Sequence, residues 1–134
     1  MSPSMLTVGL DPALVDDAPS SRAAFPEIDA EVVRAGVAAE RARLKELGFT
    51  VDACLLDHGG TAEAVYRAAL SRKVYDIVMI GAGVRLDPAL THLFEVMVDT
   101  TRELAPGAKL CFNVSPSTTA EAVQRWRPER KPLA

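Results

Sequence analysis

The chain has 134 residues, 49% of them apolar and 25% charged, with a net charge of −3 and a pI near 5.4. That is enough chain to bury one real core without a disulfide or metal staple, and it leaves little room for a second domain. The mild acidity argues against nucleic acid as the main partner, and the 5% aromatic content argues against base-stacking platforms.

No apolar run approaches the length of a membrane span, and the opening Met1-Ser2-Pro3-Ser4 lacks the charged start and apolar stretch of a leader. The expectation is a cytoplasmic protein without membrane partners. Cys54 and Cys111 each lie inside an apolar run and match no metal or redox spacing, so they are expected as buried, reduced thiols.

In chain order, Met5 to Leu10 is short and apolar and stops at Asp11-Pro12, which marks a first strand. Residues 11–28 form a long connection rich in Pro, Ser, Ala and Asp, long enough to serve as a lid or binding loop. Asp29 is placed to cap a helix from Ala30 to Leu47. Its apolar stripe of Val33, Val37, Leu44 and Leu47 is interrupted by Glu40. Gly48 is a helix stop. The second strand, Phe49 to Leu56, alternates in its first half, as a half-exposed edge strand does.

Asp57-His58-Gly59-Gly60 reads as a turn. Thr61 is the expected cap of the next helix, with Glu63 in its first turn and Arg72 and Lys73 in its last. Tyr75 to Ile80 is continuously apolar at its end, the mark of a central strand. Gly81 to Leu86 reads as a flexible loop. Asp87 before Pro88 opens another helix, with Leu90, Phe94, Met97, Thr101 and Leu104 on one stripe and Leu93 beside it. Pro106-Gly107 ends that helix, and Lys109 to Asn113 is the fourth strand. Thr118 and Glu121 are spaced as a capping box for a last helix to about Trp126.

Four strands alternating with four helices specify a three-layer α/β/α, doubly wound sheet of about four parallel strands. Right-handed crossovers give the order 2-1-3-4, flavodoxin-like or Rossmann-like. Residues 1–126 are expected as a single domain and 127–134 as a flexible C-terminal tail, its basic residues solvated. An open edge or the apolar helices could support a homodimer.

Open parallel sheets bind ligands outside the carboxyl ends of their strands, where the strand order reverses. That rule gathers Asp11, His58, Gly81, Gly83, Arg85, Asn113, Ser115 and Thr118. Gly81 and Gly83 let a ligand approach the backbone, and Arg85 could hold a phosphate or carboxylate, with Asn113, Ser115 and Thr118 adding polar contacts. His58 is the candidate acid or base, with Asp11 on the neighbouring strand as its partner; the alternative, which weighs more for His58, is simple turn chemistry at both positions. His92, Glu95 and Asp99 share a helix face, which reads as a solvated face rather than a metal site. No P-loop, nucleophile elbow or dinucleotide fingerprint is present, and Ile80-Gly81 stands where a receiver domain needs an aspartate.

Several segments, among them Val8-Gly9-Leu10-Asp11-Pro12, Tyr75 to Leu86, Ala105-Pro106-Gly107-Ala108 and Thr119 to Trp126, resemble a group of small bacterial proteins with no assigned activity. The resemblance implies a Rossmann-like or flavodoxin-like fold and carries no reaction. The expected function is small-molecule binding, with an anionic ligand and with catalysis left open. The alternative is a non-catalytic, receiver-like interaction module, and the fold alone hosts both. No cofactor is specified.

Overall fold

The computed structural model describes residues 2–14, 30–58 and 60–127. Its elements are β1 (Ser4–Leu10), α1 (Ala30–Glu46), β2 (Thr50–Leu56), α2 (Ala62–Leu70), β3 (Ile77–Ile80), α3 (Ala82–Arg85), α4 (Thr91–Leu104), β4 (Lys109–Phe112) and α5 (Thr119–Gln124), with short 3-10 turns at Pro12–Leu14 and Pro88–Leu90. The four strands are all parallel, in the order β2-β1-β3-β4. Helices cover both faces, so the fold is a three-layer α/β/α sandwich. No helix among the described residues is long and apolar enough to cross a membrane. The expected lid at 11–28 and the cap at Asp29 fall mostly or wholly outside the described residues.

The period-2 alternation of each strand sorts side chains between two cores. On one face Leu6, Val8, Leu10, Cys54, Leu56, Val78 and Ile80 pack with Tyr66 of α2, Val84 of α3 and Met97 of α4. On the other, Met5, Val51, Ile77, Met79 and Cys111 pack with Leu44 of α1 and Ala120 and Val123 of α5. Both cysteines are free and buried; burial raises the Cys54 thiol and pushes Cys111 up to about 12.

Local signals explain most boundaries. Gly48 takes φ +94°, the left-handed conformation that ends α1 without strain. The Asp87 carboxylate accepts from Ala89 N at 3.0 Å, with Pro88 at the first position of the turn leading into α4. β2 is an edge strand, with Ala53 and Leu55 exposed.

Several expectations are corrected. β3 begins at Ile77 rather than Tyr75. Tyr75 instead tucks below the sheet, its hydroxyl donating to Asp52 at 2.7 Å. The flexible loop 81–86 is the short helix α3, closed by Leu86 N on Ala82 O and anchored by buried Val84. α2 ends at Leu70, so Arg72 and Lys73 lie beyond it.

Thr61 and Thr118 occupy N-cap positions without side-chain capping. Thr61 N and Oγ1 donate to Asp57, and Thr118 Oγ1 accepts from Val114 N and Ser115 N. α5 stops at Gln124, before Trp126. Finally, Arg127, expected as the first residue of the tail, donates to Leu47 O at 2.9 Å and sits over the Phe49 ring; the rest of the expected tail, 128–134, lies outside the described residues.

Candidate functional site

The second core fills only the lower half of its layer. Towards the carboxyl ends of the strands, the same face presents Thr7 and Gly9 from β1, Ala53 and Leu55 from β2, and Gly81 after β3. In the parallel register Thr7 lies between Ala53 and Met79, and Gly9 beside Leu55. Apart from Leu55 these are small side chains or none. A Cβ built on Gly9 meets nothing within 4 Å.

Helix α1 runs above this floor and points Val33, Val37, Glu40 and Leu44 at it, one helical turn apart in the 3-and-4 spacing that makes a stripe. Between floor and helix is a mainly apolar cleft of about 160 Å³, closed at its far side by Asn113, Ser115, Pro116 and Thr119. Val37 (43% exposed) and Leu55 (51%) stay accessible although they face inward, because this part of the layer is open.

The distance between the layers is set by a close approach. Gly36 of α1 meets Pro116, and a Cβ at position 36 would fall 2.7 Å from Pro116 Cβ. Glu40, which the periodicity presents as an interruption, belongs to the stripe. It is 7% exposed and its Oε1 accepts from Ala120 N at 3.0 Å. This carboxylate satisfies one of the free amides at the start of α5, the duty expected of Thr118. Beside it Arg41 reaches over the β2 edge, with Nη2 3.5 Å from Val51 O.

The residues expected to bind a ligand divide. Gly81, Gly83, Asn113 and Ser115 line the cleft. Arg85 does not. Its Nη2 donates to Asn113 O at 2.9 Å and its guanidinium lies 5.5 Å from the centroid of Phe112, whose ring packs on Phe94 of α4 on the face of the sheet opposite the cleft. Thr118 is spent on the loop before α5.

The amide of Asn113 works inside the protein: Oδ1 accepts from Ala82 N at 2.8 Å and Nδ2 donates to Thr119 Oγ1 at 3.0 Å. Asn113 thus ties the β3–α3 junction to the start of α5. Ser115 Oγ pairs with Ser117 Oγ at 3.2 Å.

The two candidate catalytic residues also lie off the cleft wall. Asp11 Oδ1 accepts from Ala13 N at 3.0 Å, an Asx turn, and Asp11 N donates to Leu56 O. Its neighbour Pro12 lines the cleft. His58 is exposed in the turn after β2. The described hydrogen bonds do not join it to Asp11.

Thr7, Gly9, Val33, Val37, Glu40, Arg41, Ala53 and Leu55 also line the cleft, and the rule that places ligands at strand ends does not reach them. Their signal in the sequence is the same-face alternation in β1 and β2 and the position of Glu40 on the apolar stripe. No family model matches the chain, and no curated protein or solved structure matches it.

Proposed function

We propose that this protein binds a small molecule with a largely apolar body in the cleft between α1 and the carboxyl half of the sheet. The observation that supports this reading is the cleft itself: an open apolar space over Gly9, placed where the strand order reverses between β1 and β3. A space of about 160 Å³ suits a benzene-sized group, since an apolar cavity of roughly 150 Å³ holds benzene. An apolar body replaces the anion expected from sequence because Arg85 is engaged on the opposite side of the sheet.

Gly9 provides the test. Its φ is not positive and its Cβ direction is open, so Gly9→Val should fold normally and fill the floor. Benzyl alcohol at one hundred times its dissociation constant should stabilise the wild type by about 2.7 kcal/mol in a thermal melt, and should leave Gly9→Val unaffected. Absence of binding to the wild type, or undiminished binding to a folded Gly9→Val, refutes the site.

A further inference from the structure

From the polar groups around this cleft, and resting on the reading of it as a small-molecule site, we infer that the ligand carries an alcohol or amine head that donates a hydrogen bond to Glu40, and that carboxylates are excluded. Few polar groups remain to meet a ligand. Asn113 has committed its amide oxygen to Ala82 N and its amide nitrogen to Thr119. Arg85 is turned across the sheet to Asn113 O and Phe112.

The charged side chains among the described lining residues are Glu40 and Arg41. Arg41 is exposed, at the β2 rim, where water and salt weaken its pull on an anion. Glu40 is 7% exposed and sits on the inner stripe of α1. Its Oε1 holds Ala120 N, and no described hydrogen bond occupies Oε2. A carboxylate accepts hydrogen bonds and donates none. An alcohol or amine beside it therefore gains a charge-assisted bond, whereas a second carboxylate meets like charge in apolar surroundings.

Three probes of one shape separate the possibilities: benzyl alcohol, benzylamine and benzoate, titrated by protein-observed NMR at neutral pH. Benzyl alcohol and benzylamine should bind at least about tenfold more tightly than benzoate, the range of a hydrogen bond to a charged group. In Glu40→Gln, whose amide oxygen can still accept from Ala120 N, that ratio should collapse towards one. Benzoate binding as tightly as the other two in the wild type overturns the head-group assignment and leaves the site standing. A preference that survives in folded Glu40→Gln overturns that assignment too. Failure of all three probes to shift the resonances of the cleft overturns the site and this assignment together. The wild-type ranking alone decides the matter if Glu40→Gln does not fold.

Discussion

Replacing Asn113 with alanine should cost the protein stability. Asn113 is 6% exposed, and it bonds Ala82 N and Thr119 Oγ1, two groups that belong to residues which are themselves buried. Alanine removes both partners at once. The Ala82 amide then has no acceptor, and a buried donor left without one costs about 1–3 kcal/mol. Loss of the Thr119 bond, at about 1 kcal/mol, brings the total to about 2–4 kcal/mol.

For a chain of this length that corresponds to a fall in Tm of roughly 10 °C, measurable by far-UV circular dichroism and checked by urea denaturation. Hydrogen exchange at the Ala82 amide should quicken as well. A stability for Asn113→Ala within about 0.5 kcal/mol of wild type would refute the assignment of this side chain as the tie between α3 and α5.

Gly36→Ala gains about 1 kcal/mol of helix propensity, but its methyl would lie 2.7 Å from Pro116 Cβ and 3.3 Å from Pro116 C. Overpacking of that kind costs about 1–3 kcal/mol, so the melt should show no stabilisation or a net loss; a gain of about 1 kcal/mol would show that the Pro116 segment gives way freely. At the other end of the sheet, the Tyr75 hydroxyl and then Lys73 hold the Asp52 carboxyl below its ordinary value of 3.8. A depressed folded pKa means that stability is fully present above 3.8 and is lost as pH falls through the lower folded value. Tyr75→Phe should therefore differ most from wild type at neutral pH, with the gap narrowing in acid; a gap that widens below pH 3.8 would contradict the Tyr75–Asp52 assignment.

The topology is legible in the sequence because its signals are local. Gly48, Asp87-Pro88 and the unbroken apolar run Ile77-Val78-Met79-Ile80 each fix a boundary or a burial class with neighbouring residues alone, and crossover handedness supplies the strand order. The site is legible only in outline. Gly81, Gly83, Asn113 and Ser115 follow from the rule that places ligands at strand ends, which is a statement about loops. Arg85 does not, because sequence position says which end of the sheet a residue reaches and not which face it turns to. Thr118 escapes because a capping spacing cannot reveal a competitor, and Glu40 comes from a helix 80 residues away in sequence. Glu40 itself looks like a flaw in a stripe. A charge at a buried stripe position is a feature whose partner lies elsewhere in the fold.

The cleft arises from an inequality between the two faces of one sheet. Over the first face, Tyr66, Val84 and Met97 press onto Val8, Leu10, Leu56 and Ile80, and the layer closes. Over the second, the lower half closes equally well, with Leu44, Ala120 and Val123 against Met5, Ile77 and Cys111. In the upper half α1 meets the Pro116 segment closely at Gly36, whose missing side chain permits the approach. Edge strand β2 is then left with Ala53 and Leu55 uncovered, and the floor between is lowered by Gly9 and Gly81. An isolated glycine in a helix or a strand weakens that element. Here the two glycines do complementary things: Gly36 draws one wall in, and Gly9 takes the floor down. The opening therefore follows from the backbone contact and the strand register together. Glu40 is carried into it by the same helix that forms its roof.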